Sequence, residues 1–480
     1  MMNRLRFLLL SLLTCCVFNT VIAQSEKFVQ VSPRDARYFE YSDGTPYIPI
    51  GLNIIGMGGS STERGLAQME DWMKNLAENK GNFMRLWLSN EFWDVEHKRS
   101  GEYDAEKASE RLDKVLKRAT ELNLKVKVTL EHFRNFKERG WDAKALHDVK
   151  NGGTAMSIED FFRGSASRNL FLKKLDWYAE RYGSNPTVFM WELWNEVNAV
   201  SHAGYALDAS SEQFDWTVVM LKALRERFPN RLVTQSLGSF DDPRVRLTYN
   251  AFSNISDNDL AQVHRYLDLG AKLEVCHGSV DVLVVDAIKE LRAFNVNKPI
   301  VLAESGAVEP KHTGPFKLYD SDKNGVILHD VLFAPFFAGA AGGGQIWHWG
   351  EYVGKNNLWF HFGRFAEAIK NIDPPAEGFI PLEDVQDNLR VYGLKGKTTS
   401  ILWCRDVANT WSTELQDGKE PSEVKNFNLD LKDYLNNNQQ AKVSIYDPWS
   451  NEWSSAGLKN GVIRLPAFKR SLVIRLDYEG

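Results

Sequence analysis

Cysteine is nearly missing from this chain of 480 residues. There are four, adjacent at Cys15 and Cys16 and far apart at Cys276 and Cys404. So few thiols exclude a disulfide-built fold. An excess of positive charge is absent as well: 58 lysines and arginines face 63 aspartates and glutamates, a formal net charge of −5. A mildly acidic chain is a poor ligand for nucleic acid or an anionic membrane surface, and neither is expected as a partner. Metal-ligand spacings of the His-x-His or His-Glu-x-x-His kind do not occur, so neither a metal nor another cofactor is expected. Gly342, Gly343 and Gly344 stand at a helix-to-strand turn, which is the wrong side of a strand for a phosphate loop. No repeat of solenoid period is present.

Long apolar runs are scarce too, and the one at the start carries meaning. Met-Met-Asn-Arg-Leu-Arg precedes an apolar stretch from Phe7 to Phe18, and Val21-Ile22-Ala23 precedes Gln24. A charged start, a short apolar run and small residues at a cleavage point form a secretory signal over residues 1–23, cut after Ala23. The run is too short for a permanent membrane anchor. The expected location is therefore secreted or periplasmic. The stretch Leu12-Leu13-Thr14-Cys15 offers the alternative of a lipoprotein anchored through Cys15.

Aromatics are plentiful, with 15 Trp, 15 Tyr and 27 Phe. Most must fill a core, and those at strand ends can offer flat apolar faces to a ligand. Eight short apolar segments have strand character: 47–53, 82–89, 125–131, 187–196, 231–237, 260–266, 299–304 and 344–349. Most are continuously apolar, as parallel strands covered on both faces are. Amphipathic helical patterns separate most of them, among them 104–122, where Asp104 can cap the first turn. This alternation predicts an α/β fold, a (β/α)₈ barrel over residues 24–375. Pro374-Pro375 closes the last helical pattern. Short strands divided by turn residues follow, predicting a smaller antiparallel β-sandwich over 376–480. Its Trp403, Trp411, Trp449 and Trp453 are expected in the core, so that this part supports the barrel rather than binding polysaccharide.

Within the fourth segment stands Trp191-Glu-Leu-Trp-Asn-Glu196, and the seventh reads Pro299-Ile-Val-Leu-Ala-Glu304. Two carboxylates at the carboxyl ends of separate parallel strands are what double-displacement cleavage of a glycosidic bond requires. One must be ionised to attack the anomeric carbon, and the other protonated to release the leaving oxygen. A strand-end glutamate alone is more often a surface or capping residue; the pair is what carries the reading. Glu192 is the nearest decoy, spaced to point into the same interior but deeper, in a supporting role. Glu131 is similar and is left unassigned. Trp347 and Trp349 share a face while the strand lasts, which places Trp349 nearer the mouth. Trp87 and Trp93 divide evenly between core packing and sugar platform.

With these residues in view, 40–370 resembles a clan A glycoside hydrolase, most closely family 5. The family's eight active-site residues find matches in chain order: Arg85 on strand two, His132 after strand three, Asn195 and Glu196 on strand four, His264 and Tyr266 on strand six, Glu304 on strand seven and Trp347 on strand eight. Ala303 and Ser305 flank Glu304 where the family more often has a glycine and an aromatic residue. The resemblance implies Glu304 as nucleophile and Glu196 as acid/base. The other six bind substrate or position these two, with Asn195 donating to the sugar 2-hydroxyl. The segment 141–162, with Asn151-Gly152-Gly153, and the run from Tyr182 to Leu193 look like the corresponding parts of family 5 mannanases. The implied activity is a retaining β-glycosidase on β-mannan, the alternatives being β-glucan hydrolysis or transglycosylation by the same fold. A sugar-binding barrel without catalysis would normally have lost a carboxylate, and both are present.

Overall fold

The computed structural model describes residues 27–57, 60–132, 146–200, 211–436 and 440–478. The leader expected at 1–23 lies outside them. Among the described residues no helix is long and apolar enough to cross a membrane.

Chain entry is through a three-stranded antiparallel sheet, β1 (Val29–Val31), β2 (Phe39–Tyr41) and β3 (Pro46–Tyr47). The first predicted segment is thereby split. Tyr47 belongs to this sheet, while β4 (Gly51–Asn53) opens the parallel one. Five parallel strands follow in spatial order, β4, β5 (Phe83–Trp87), β6 (Lys125–Glu131), β7 (Val188–Trp194) and β8 (Leu232–Thr234). A second parallel pair joins β9 (Ala261–Leu267) to β10 (Ile300–Ala307). A helix or helix pair follows each: α1 (Thr62–Glu78), α2 (Ala105–Glu110) with α3 (Leu112–Glu121), α4 (Ile158–Arg163) with α5 (Ser165–Tyr182), α6 (Glu212–Arg227), α7 (Arg246–Ser253), α8 (Val280–Ala293) and α9 (Val326–Phe337). Asp104 accepts a hydrogen bond from Lys107 N at 3.0 Å, the predicted cap. Its helix is nonetheless broken at Arg111, whose φ of −120° and ψ of −70° lie off the helical path.

The predicted eighth strand is not formed as a strand. Ile346 makes a single parallel bridge to Ser305. Backbone bonds from Gln345 N to Leu302 O (3.0 Å), Trp347 N to Ser305 O (2.9 Å) and Asn53 N to Ile346 O (3.1 Å) tie the segment to both β10 and β4. Residues Trp349–Gly354 then coil into a wide helical turn before α10 (Phe360–Ala368). Trp349 therefore leaves the strand direction and meets Trp72 of α1 edge to face at 6.2 Å, with its ring also 5.6 Å from that of Trp347.

Beyond residue 380 the sheets are antiparallel. Six strands lie in the order β11 (Ile380–Gln386), β12 (Leu389–Lys395), β13 (Thr399–Asp406), β20 (Ser471–Tyr478), β16 (Ala441–Asp447) and β17 (Glu452–Ala456). Two short pairs, β14 (Glu423–Val424) with β19 (Phe468–Lys469) and β15 (Asn428–Asp430) with β18 (Val462–Arg464), cover one face. Leu389, Val391, Leu402 and Ile474 pack there against Leu429, Ile463 and Phe468. Alternate residues point the other way, and Tyr392, Trp403 and Val473 join the main core. Arg405 forms a buried pair with Asp330 of α9 at 2.8 Å, and Arg390 pairs with Asp281 of α8 at 2.6 Å. Each arginine fills a site where its partner alone would be a stranded charge. Of the four tryptophans expected in the core, Trp403 and Trp411 are buried, Trp411 donating to Gly278 O (2.8 Å); Trp449 and Trp453 are half-buried, Trp453 donating to Glu367 (2.7 Å) and Trp449 lying 4.5 Å from the ring of His329.

Candidate active site

The carboxyl ends of the parallel strands surround a cleft of about 480 Å³, within the range of small-molecule sites. Trp87, Asn195, Glu196, Tyr266, Glu304 and Trp347 line it. Arg85 and His264 are fully buried beneath it. His132 stands behind, its ring stacked on Trp87 at 4.9 Å and its Nδ1 2.6 Å from Ser89 Oγ. Of the six expected to bind or position, Asn195, Tyr266 and Trp347 reach the cleft, and Arg85, His264 and His132 act through neighbours. Trp87 forms part of the wall, 5.1 Å from Trp347, whereas Trp93 is core and donates to Ile55 O at 2.8 Å.

Neither glutamate ends its strand as predicted. β7 stops at Trp194, and Glu196 sits in the turn beyond with φ +55°, a left-handed conformation that a side chain other than glycine adopts at a cost of roughly 1 kcal/mol or more. Its N–H donates to Ser236 Oγ at 3.0 Å, which holds that turn. β10 continues through Glu304 to Ala307, with a shift of register between Leu302 and Glu304. Gly306 follows at φ +137°, and a Cβ there would stand 2.7 Å from Tyr319 Oη, so the position requires glycine.

Glu304 receives a short hydrogen bond from Arg85 on one oxygen and the Tyr266 hydroxyl at 2.9 Å on the other. Glu196 is held by His264 Nδ1 at 2.8 Å, and the same nitrogen is 3.4 Å from Glu304. A carboxylate oxygen of Glu196, one of Glu304 and a nitrogen of His264 all lie within 4.8 Å of one another. Burial raises both carboxyl pKa values. Glu196 goes well above the ordinary value, with the charge of Glu304 adding to burial. Glu304 is raised by burial and pulled back by Arg85 and by the Tyr266 hydrogen bond. In this pair Glu196 keeps the proton and Glu304 loses it first. Burial and the charge of Arg85 hold His264 neutral, well below the ordinary histidine value. In the tautomer that donates from Nδ1 it orients Glu196. Asn195 Oδ1 accepts from Arg85 at 2.7 Å, while its buried Nδ2 has no protein partner and is left to donate.

Arg85 does not stand alone. Glu192, the decoy, accepts from its Nη2 at 2.6 Å, and Asn53 Oδ1 accepts from Nη1 at 3.2 Å. Thr129 and Gln262 also donate to Glu192, and Lys127 lies 3.3 Å away. Burial would raise the Glu192 pKa, but Arg85 and Lys127 bring it down to about 2. The predicted supporting role is what the geometry shows: Glu192 is a fixed anion that locks the arginine facing Glu304. Glu131 is likewise buried, paired with Lys174.

Sequence reasoning missed the polar rim of the cleft: Asp241, Asp242, Asp268, Lys272 and His312 on the loops after β8, β9 and β10. Asp268 had a signal, since it continues the alternate spacing of His264 and Tyr266 one step past the strand. The others sit on irregular loops whose fold no periodicity encodes.

Fold and site together are similar to those of clan A glycoside hydrolases of the family 5 type. No protein-family model matches the chain. A sequence relative is mannan endo-1,4-beta-mannosidase 1 of Arabidopsis thaliana, 24% identical over 324 residues, which cover 62% of this chain and 76% of that protein. Among solved structures, a glycoside hydrolase superposes with a TM-score of 0.58 at 12% identity, over 94% of this chain and 97% of its own. A Bacteroides vulgatus protein described as a glycoside hydrolase gives 0.53 at 15% identity, over 95% and 83%. These structures speak for the fold; the chemistry rests on the site.

Proposed function

We propose that this protein is a retaining β-glycosidase that cleaves β-mannan by double displacement, in a closed (β/α)₈ barrel. The observation that carries the mechanism is the carboxylate pair, with oxygens within 4.8 Å of each other. Retaining enzymes hold their carboxyls ~5–5.5 Å apart, and the wider gap of an inverting enzyme leaves room for a water. Closure of the barrel is supported by the backbone bonds of residues 345–347 to both β10 and β4.

In the first step the Glu304 carboxylate attacks the anomeric carbon while Glu196 passes its proton to the departing glycosidic oxygen. Arg85 and Tyr266 set the orientation of Glu304, and Asn195 Nδ2 donates to the sugar beside it. As Glu304 becomes an ester its negative charge is lost, so the proton affinity of Glu196 falls. Glu196 is then the base that takes a proton from water, whose oxygen attacks the anomeric carbon and frees Glu304. Two inversions leave the β configuration.

Mannan as substrate is supported by the sequence relative, whose name states mannan endo-1,4-β-mannosidase, and by the mannanase-like run around Tyr182 to Leu193. A screen on mannan, glucan, xylan and galactan with reducing-end detection tests it. Release from mannan at ten times the rate on the others, or more, is expected; preference for glucan would overturn the substrate, and inactivity on all four the function. The enzyme is exported in this reading, and the intact mass of the exported protein should correspond to a start at Gln24. A mass carrying a diacylglyceryl group on Cys15 would replace secretion by anchoring.

A further inference from the structure

Asp241, Asp268 and His312 come from the loops after β8, β9 and β10 and meet on the rim of the cleft. One ligand atom from each lies within 4.8 Å of the other two. His312 Nε2 is 3.7 Å from Asp241 Oδ2 and 3.6 Å from Asp268 Oδ2. Asp268 is only 1% exposed. Its Oδ1 accepts from Gly270 N at 2.7 Å and Lys311 N at 2.9 Å, but Oδ2 is buried with no hydrogen-bond partner. It faces His312 across a gap too long for a hydrogen bond. A buried anionic oxygen left unsatisfied is costly, and a cation is what such an oxygen is shaped to meet. Among the described residues no lysine or arginine pairs with Asp241 or Asp268, and the nearby Lys272 is taken by Asp242 at 2.7 Å.

We propose that Asp241, Asp268 and His312 form a binding site for one divalent transition-metal ion of the Zn²⁺ kind. Two carboxylate oxygens and one imidazole nitrogen suit zinc, whereas Ca²⁺ and Mg²⁺ prefer oxygen alone. A tetrahedral ion with bonds of ~2.1 Å holds its ligands roughly 3.4 Å apart, close to the two distances seen at His312. Asp268 is already fixed by two backbone donors, and His312, about one-third exposed, has room to adjust. The fourth position would open toward the cleft, to water or to hydroxyls of bound carbohydrate. The trio Glu196, His264 and Glu304 is as compact, but the Arg85 guanidinium on Glu304 repels a dication there. The rim site is independent of the hydrolytic reading and stands or falls by itself.

Chelator-treated full-length protein, titrated calorimetrically with ZnCl₂ and separately with CaCl₂ and MgCl₂, tests the proposal. One equivalent of Zn²⁺ per chain is expected, with Ca²⁺ and Mg²⁺ at least ten times weaker. Asp268→Asn keeps Oδ1 for Gly270 and Lys311 but removes the buried anion, and His312→Gln removes the imidazole at a half-open site. Each should weaken Zn²⁺ binding tenfold or more, with the metal-free unfolding temperature kept as the check on folding. Glu304→Gln should leave the stoichiometry at one. No stoichiometric uptake by the parent protein would overturn the proposal, as would uptake undiminished in both rim variants. Loss in Glu304→Gln alone would move the ion to the carboxylate pair and overturn it equally.

Discussion

Replacing Glu304 by glutamine should lower turnover on every β-mannoside, natural or activated, on the order of 10⁴-fold or more, the scale of losing a covalent nucleophile. The amide keeps the shape of the side chain; its oxygen can still accept from Arg85 while its NH2 donates to the Tyr266 hydroxyl oxygen, so the cleft should survive. An amide oxygen is far too weak a nucleophile to form the glycosyl ester. An activated leaving group cannot compensate, because attack and not departure is what has been removed. Steady-state rates on mannan oligosaccharides and on a dinitrophenyl β-mannoside measure this, with circular dichroism to verify the fold. Retention of a tenth of the parent activity on either substrate would remove Glu304 from the nucleophile's role.

Replacing Glu196 by alanine should divide the two chemical steps. General acid–base catalysis contributes about 10²–10⁴-fold, and that is the loss expected on mannan, where the leaving oxygen needs its proton. On a dinitrophenyl β-mannoside the first step needs no proton and should stay within about tenfold of the parent. The glycosyl-enzyme should then accumulate, because no base activates water. Azide, an anion that needs no base, should restore turnover and give a β-glycosyl azide. The pH profile provides a second readout. Burial and the charge of Glu304 hold the Glu196 carboxyl well above the ordinary value, so in the parent enzyme kcat/KM on mannan should fall as pH rises through that value and the acid is lost. On the activated substrate this alkaline limb should vanish in the variant. Equal loss on both substrates, without azide rescue, would count against Glu196 as acid/base.

The side chains that meet at the cleft were legible because barrel-type enzymes concentrate their functional groups at strand ends, where a run such as Val-Phe-Met-Trp-Glu-Leu-Trp-Asn-Glu shows both the strand and what it carries. Alternation told more than the ends alone: it placed Glu192 beneath Glu196, and the structure finds it locking Arg85. The exact ends were less legible. Hydrophobicity cannot tell that β7 stops two residues before Glu196, since a turn at φ +55° leaves no apolar signature. It also cannot tell that residues 344–349 form one bridge and then a wide helical turn, because Trp347 and Trp349 are as apolar as a strand requires. The split at Tyr47 arises from packing: β3 pairs with β2, and only from Gly51 does the chain join β5. The antiparallel part was recognisable from its turns. That its six-stranded sheet buries both faces, one under short strands and one against α9, depends on partners far apart in sequence. The rim on which Asp241 and His312 meet is likewise assembled by loops, and only Asp268 could have been reached by counting along β9.

The proposal as a whole rests on two displacements at one carbon, and the configuration of the first-formed product reads that out directly. Proton NMR during hydrolysis of a soluble β-manno-oligosaccharide, recorded before mutarotation, should show the β-anomer appear first and the α-anomer grow in only at the rate of spontaneous exchange. An α-anomer formed first would mean a single inversion, and would contradict Glu304 as nucleophile and with it the mechanism assigned to this site.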